Sequence, residues 1–333
     1  MPFSRRYLRR ARVFWWLCVV AAWAVLGVLQ DSLSGGQVGP GSYVRRPWSE
    51  DQDPKIPKPP KNPNVLRASV QDDTEAAWWT PERLQQLLDV PTTTCRRLVS
   101  LGGVSRCEDC RTCYKDGNKL TCLDPDVRPR PGQCIVYSMG VGGELSWDRA
   151  INEYNCSVYA FDMTLMKWTN AEIAPKLHFL DLGLADYHSD ETINMTSADG
   201  PGTEWETRKA HFRRLEDIRD ILDHSRTTLD VLKLDIEYWE WNVLRGLLSS
   251  PSRAKTLESV NQIALEIHLD GLRNASAAER VTEARRVEEV LTALNAHGFH
   301  LAHTELNTAQ QRYAEVRGVV FPLYRESLFL RRP

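Results

Sequence analysis

The sequence predicts an α/β protein built on a parallel sheet with helices on both faces. Two observations carry this. From Cys134 onward, short apolar runs alternate with segments of helical periodicity. The runs are continuously apolar instead of alternating, as in strands covered on both sides. No internal repeat points to a solenoid or propeller.

Composition sets the frame. The chain has 333 residues, 42% hydrophobic and 26% charged, enough for an ordinary core plus tails. Wholesale disorder and a collagen-like fibre are excluded. A net charge of −2 leaves no basic surplus for nucleic acid, which is not expected as a partner. Mean hydropathy of −0.41 excludes a polytopic membrane protein.

The chain divides by composition into four parts. In residues 1–34, Arg5, Arg6, Arg9, Arg10 and Arg12 precede Val13 to Leu29, a run of seventeen uncharged residues. Such a pattern is a cleavable signal peptide or an uncleaved signal anchor, reaching about 25 Å as helix. The arginines are expected in the cytosol and the rest translocated. The product is then secreted, or a single-pass type II membrane protein with a lumenal domain. Membrane contact is expected only through this segment. Residues 35–65 carry seven prolines, from Pro40 to Pro63, and read as a semi-rigid stem.

Residues 66–133 form an accessory segment with a short helix from Thr80-Pro81 and most of the cysteines. Cys95, Cys107, Cys110, Cys113, Cys122, Cys134 and Cys156 lie within 62 residues. After a secretory leader, at least two disulfides are expected between Cys95 and Cys134. The pairing is not readable, and zinc on Cys107, Cys110, Cys113 and Cys122 is the alternative. Sequons at Asn155, Asn194 and Asn274 fit a lumenal glycoprotein.

Residues 134–333 hold the periodic part. Strands are expected over Cys134–Met139, Ser157–Phe161, Leu177–Leu182, Leu229–Leu234, Gln262–His268, Phe299–Glu305 and Val319–Leu330. Helices are expected over Glu144–Tyr154, Glu204–Leu222, Trp239–Leu248 and Ser276–His297. The last is best marked, with a Ser276-x-x-Glu279 capping box and Gly298 as its stop.

Parallel sheets bind ligands beyond the carboxyl ends of their strands, so those residues carry the chemistry. Gly140 and Gly142 follow the first strand and allow close approach of a nucleotide. Asp162 ends the second, placed to accept ribose hydroxyls; a glycine turn with a capping acid is the plainer alternative. Asp235 and Glu237 end the fourth strand, Glu266 and His268 the fifth. Each pair is two apart, so each projects to one side of an extended strand. His268 is the candidate general base, beside Glu266, with Asp235 and Glu237 positioning donor and acceptor. Asp, Glu and His there could equally bind a divalent ion, or serve as helix caps and salt bridges.

The run Cys134-Ile-Val-Tyr-Ser-Met-Gly, then Tyr159-Ala-Phe-Asp162, Leu232-Lys-Leu-Asp-Ile-Glu237, Leu265-Glu-Ile-His268 and Gly298-Phe299, resembles the FkbM-like branch of the class I S-adenosylmethionine-dependent methyltransferases. The resemblance covers about Gly117 to Glu305. It implies a Rossmann-like seven-stranded sheet, last strand antiparallel, with S-adenosyl-L-methionine bound across the first two strand ends. Gly140, Gly142, Ser138 and Asp162 are then the donor-site positions. Two departures stand out: Ser138 replaces the usual acid of the first motif, and Tyr238 replaces a common glycine. The resemblance implies methylation of a hydroxyl on a glycan or small molecule, with the polar Ala185–Trp205 connection facing the acceptor. The alternative is a secreted or anchored binding protein that keeps the fold without turnover. Nicotinamide-dependent oxidoreduction is disfavoured, because Leu145 stands where its glycine motif needs the last glycine.

Overall fold

The computed structural model describes residues 79–107, 113–165, 170–196, 205–307 and 312–332. The chain divides into two units, Met1–Ala68 and Ser69–Pro333. The expected leader, stem and Cys18 lie outside the described residues, as do Cys110, Gly200 and Gly202. No helix among the described residues is long and apolar enough to cross a membrane.

A short helix α1 (Glu82–Asp89) leads into a hairpin, β1 (Leu98–Cys107) and β2 (Cys113–Cys122). Then follow β3 (Ile135–Met139), α2 (Ser146–Glu153), β4 (Ser157–Phe161), β5 (Ala171–Ala174), β6 (Leu177–Leu180), β7 (Gly183–Leu184), β8 (Ser189–Thr196) and β9 (Trp205–Arg213). The chain continues through α3 (Leu215–Ile221), β10 (Leu229–Leu234), α4 (Glu240–Leu248), α5 (Pro251–Glu258) and β11 (Val260–His268). It ends with α6 (Ala277–Ala296), β12 (Phe299–Leu306), β13 (Tyr313–Val316), β14 (Val319–Pro322) and β15 (Tyr324–Arg331).

The main sheet has the order β12-β15-β11-β10-β3-β4-β6-β5. Its centre is parallel, and β15 runs antiparallel to both β11 and β12, as expected of the last strand. Eight strands are present where seven were expected. The extra one, β5, pairs antiparallel with β6 across a two-residue turn with Lys176 at φ 63°. Its sequence, Ala-Glu-Ile-Ala, offers no apolar run to announce a strand.

Two other expectations fail. Trp205–Arg213, read as the start of a helix, is strand β9 paired antiparallel with β8. Its period is two: Ala210 and Phe212 are buried while Thr207 and Lys209 are exposed. The Ala185–Trp205 connection is therefore largely hairpin, in a small sheet of order β7-β9-β8. The expected strand Val319–Leu330 is split at Leu323, and its first part pairs with β13 instead of the main sheet.

The two faces are covered differently. On one, Leu84, Leu88, Ile218, Trp241, Leu244, Val287 and Leu291 of α1, α3, α4 and α6 pack on Tyr137, Leu232, Ile263 and Phe329. Burial of aliphatic and aromatic side chains on this scale stabilises by about 1.5–3 kcal/mol each. On the other, α2 contributes Trp147 and Ile151 over Val136, Val158 and Val231. The remainder of that face, toward β15, is covered by the hairpin through Leu120, Cys122 and the following Val127 against Leu328 and Leu330. Helices on both faces thus holds for only part of the sheet.

The hairpin is tied down covalently. Disulfides join Cys95 to Cys122, Cys107 to Cys113 and Cys134 to Cys156. Pairing with Cys95 and Cys107 takes Cys122 and Cys113 out of the alternative zinc tetrad. The Gln262 amide docks the hairpin on β11: Oε1 accepts from Cys122 N at 2.8 Å, and Nε2 donates to the carbonyls of Cys122 and Val127 at 2.7 and 2.9 Å.

Candidate functional site

Two constellations form at the carboxyl ends of the strands, and Lys233 joins them. The first is the turn after β3. Gly140 has φ 77°, and a Cβ there would lie 1.7 Å from the Asp235 carbonyl oxygen, so only glycine lets the turn cross the end of β10. Gly142 has φ 58° and would direct a Cβ into open space. Asp162, at the end of β4 and 8% exposed, holds this turn. Its Oδ2 accepts from the amides of Val141 and Gly142 at 2.9 and 2.8 Å; its Oδ1 accepts from the amide and hydroxyl of Thr164. A carboxylate offers about four acceptor positions. Four donors of the chain itself bond to it, so ribose hydroxyls, as expected from the sequence, would have to share these oxygens.

Ser138 is wholly buried in β3 and faces Asp148 of α2. Burial pushes the Asp148 carboxyl up, while the Lys233 ammonium and the Ser138 hydroxyl hold it down. A buried acid thus stands beside Ser138, on α2 and not on the strand.

The second constellation lies past β10 and β11. Ligand atoms of Asp235, Glu266 and His268 lie within 4.8 Å of one another, the convergence read from their spacing. Glu237 comes together with them differently. It lies beyond the strand with φ 54°, so it does not share an extended pair with Asp235. Its carboxylate is exposed at the mouth, 3.7 Å from His268 Nε2.

Sequence reasoning gives no role to the groups that organise this cluster. Glu240, at the start of α4 and wholly buried, accepts from the His268 amide at 3.0 Å and meets His268 Nδ1 at 3.1 Å. Lys119, from the hairpin, is 2.6 Å from Glu266 Oε2, 2.6 Å from Glu326 Oε1 and 3.1 Å from Asp235 Oδ2. Asn307 Nδ2 donates to Glu266 Oε1 at 2.7 Å. The Lys233 ammonium donates to the Gly140 carbonyl and lies 3.4 Å from Asp235 Oδ2. Lys233 and Glu240 stand inside or beside the quoted motifs and carry that signal; Lys119 lies 114 positions before Lys233 and carries none.

The electrostatics bear on the role of His268. Burial works against a charged His268, but Glu240, Glu266 and Glu237 outweigh it and hold the imidazole pKa well above its usual value. That shift favours the imidazolium, the form that donates a proton in place of accepting one. Asp235, despite burial, is held far below the carboxylate range by Lys119, Lys233 and His268. Burial, with Glu266 and Asp235 close by, pushes Glu326 well up even against Lys119. Lys119 itself is raised: its carboxylate neighbours overcome the burial penalty.

Tyr238 walls this half. Its backbone is left-handed, φ 79°, the conformation that favours glycine at this position. Its hydroxyl accepts from Arg286 Nη2 at 2.8 Å, and the guanidinium lies 5.2 Å from the ring centroid. Beside the cluster, an open cleft of about 340 Å³ is lined by Ser100, Lys115 and Asn118 of the hairpin and by Glu305, Asn307 and Glu326.

Comparison with known proteins identifies relatives of the chain. The probable methyltransferase-like protein 24 of Rattus norvegicus is 26% identical over 192 residues, covering 56% of this chain and 48% of that protein. The Homo sapiens protein of the same name is 28% identical over 145 residues, covering 42% and 34%. The chain thus spans about half or less of the curated relatives it matches. Among solved structures, a 16S rRNA (adenine(1408)-N(1))-methyltransferase from Catenulisporales acidiphilia aligns with TM-score 0.32 and 12% identity, over 61% of this chain and 90% of that one. The pattern of a methyltransferase-domain family matches residues 60–319, most of the chain, and the chain belongs to that family.

Proposed function

We propose that this chain is an S-adenosyl-L-methionine-dependent methyltransferase of the secretory pathway that methylates a hydroxyl on a glycan or small molecule. The single observation that carries the reading is the convergence of Asp235, Glu266 and His268 beside the Gly140–Gly142 turn, joined to it by Lys233. Three disulfides among the described residues support a lumenal setting.

The turn fits the donor in one respect: the open space at Gly142 lets a nucleoside lie against backbone. Asp162 fits as the residue that sets the turn, through the Val141 and Gly142 amides. When bound, S-adenosylmethionine supplies an electrophilic methyl group on a sulfonium. The chain's contribution is mainly positioning and exclusion of water. Asp235, Glu266 and Lys119 form a fixed charged floor. Glu237, exposed and beside the His268 imidazolium, is the group open to an acceptor proton. The cleft lined by Asn118, Asn307 and Glu326 has one large apolar residue, Leu306, and suits a hydroxyl-rich acceptor.

The second reading, a binding protein without turnover, is favoured by the Asp162 carboxylate, bonded to four donors of the chain itself, and the locked Tyr238 ring. Calorimetry with S-adenosylmethionine and S-adenosylhomocysteine, then transfer of labelled methyl to saccharides and small alcohols, separates them. Binding with transfer supports the enzyme; binding without transfer to any hydroxyl compound supports the second reading. Absence of binding rejects the enzyme.

A further inference from the structure

Asp235 and Glu266, with His268 once it gives up its proton, form the kind of donor set that divalent ions take, with ligand atoms within 4.8 Å of one another. An ammonium already stands among them. Lys119 Nζ lies 3.1 Å from Asp235 Oδ2 and 2.6 Å from Glu266 Oε2. Its third contact, also 2.6 Å, is Glu326 Oε1. A lysine ammonium has three N–H donors and no acceptor. Two of these donors go to Glu266 and Glu326, and Asp235 lies within ion-pair reach of the same ammonium.

The sheet register makes a cation favourable here. Glu266 and Glu326 are directly paired across β11 and β15, and Glu326 is directly paired with Glu305 of β12. Like charges in direct cross-strand pairs are destabilising, more so when buried. No basic residue of the sheet touches Glu326 in an ion pair among the described residues; the cation comes from the hairpin. That hairpin is fixed three residues further on, where Cys122 is bonded to Cys95 and its backbone is docked on Gln262.

We infer that Lys119 is the resident cation of this site, a positioning residue that takes the place a divalent ion would fill between Asp235 and Glu266. The inference does not depend on methyl transfer, because the site's occupancy can be read directly. It assigns the disulfide-bonded hairpin a part in the site: the covalent tether delivers the charge that lets three carboxylates face one another. It also makes the donor set a latent metal site, opened by removing one side chain.

The test uses the full chain with its disulfides intact and Mn2+ as the probe, read by electron paramagnetic resonance. Five forms are compared: wild type, Asp235→Asn, Lys119→Ala, Lys119→Met, and Lys119→Ala combined with Asp235→Asn. Lys119→Ala should take up a single Mn2+ at least about tenfold more tightly than wild type, and its melting temperature should rise with Mn2+. Lys119→Met fills the space without charge and should bind no such ion; the double variant should lose it. Wild type should melt at the same temperature with Mn2+ or with a chelator. A folded Lys119→Ala that takes up no ion would overturn the inference. So would stoichiometric Mn2+ on the wild type that disappears in Asp235→Asn, a result readable even where Lys119→Ala does not fold.

Discussion

The two halves of the site are held by different physics. At the glycine turn, Asp162 bonds to Val141 and Gly142, 21 and 20 residues away, and to Thr164, two away. Its partners are backbone amides and one hydroxyl, and no second ion is involved. At the acid cluster, Lys119 meets Glu266 and Glu326 across 147 and 207 residues, and nearly every partner is ionisable. The turn is held mainly by neutral partners within 21 positions of Asp162, with the Lys233 bond to the Gly140 carbonyl as its link to β10. The cluster is a tertiary arrangement that exists only once the hairpin has docked. A loss in the first should stay local, and a loss in the second should spread.

The sharpest way to break the comparison is to remove the charge that holds the cluster. Lys119→Met leaves Asp235, Glu266 and Glu326 facing one another with no ammonium between them. Breaking a buried ion pair from one side costs about 3–5 kcal/mol, so urea denaturation should show a larger loss than any single substitution at the turn. Asp162→Ala should cost less, about 2 kcal/mol, because water can reach the freed amides of an edge turn. Hydrogen exchange should then quicken at Val141 and Gly142 and stay unchanged at His268, whose amide is held by Glu240. If the Asp162 variant loosens both halves equally, the distinction between a local and a tertiary half fails.

The charge on His268 gives the cluster a pH signature. Its folded-state pKa is raised above the unfolded value of 6.5, by carboxylates that outweigh burial. The stability this contributes is complete below the unfolded pKa and is lost as pH rises through the folded one. Within that window the folded chain holds one more proton than the unfolded chain, a slope of at most about 1.4 kcal/mol per pH unit. Wild type should therefore melt at lower temperature as the medium turns alkaline, and His268→Gln should lose that part of the slope. Asp235 works in the opposite direction: its depressed pKa gives stability that is lost in acid, below the ordinary carboxylate range. A His268→Gln chain that keeps the alkaline slope would place the responsible proton on another group.

The same division decides what is legible in the sequence. The central strands themselves, the α6 capping box and the convergence of Asp235, Glu266 and His268 follow from periodicity and strand-end position. Glu279 Oε2 accepts from the Ser276 amide at 2.8 Å, as the capping motif requires. What stays hidden is long-range. Nothing near Lys119 announces that it ends beneath β11 and β15, because its three partners are 116 to 207 positions away. The protonation of His268 is hidden for the same reason. Its spacing from Glu266 is visible, but Glu240 reaches it only through the turn of α4 onto β11. The helix expected over β9 fails for another cause: with Glu206, Arg208 and Lys209 in it, the segment lacks the apolar run of a core strand, and its pairing partner β8 is what decides.

The finest test concerns the wall of the cluster, where the chain has Tyr238 in a left-handed backbone, φ 79°. An L-residue in that conformation costs about 1–2 kcal/mol, which glycine does not incur. The tyrosine side chain offsets the cost through its hydroxyl bond to Arg286 and the guanidinium over its ring. Alanine and glycine at this position remove the ring and both contacts alike, so they differ only in backbone terms. In an ordinary exposed helix or strand, alanine is the more stable by about 0.5–1 kcal/mol. Here the order should invert, with Tyr238→Gly more stable than Tyr238→Ala by about 1 kcal/mol in urea denaturation. Both should leave the Asp162 turn unaffected, since no Tyr238 contact reaches it among the described residues. An alanine variant as stable as the glycine variant would mean that the backbone relaxes once the ring is gone. The left-handed turn would then be a product of the Arg286 contact and not of the path the chain must take from β10 into α4.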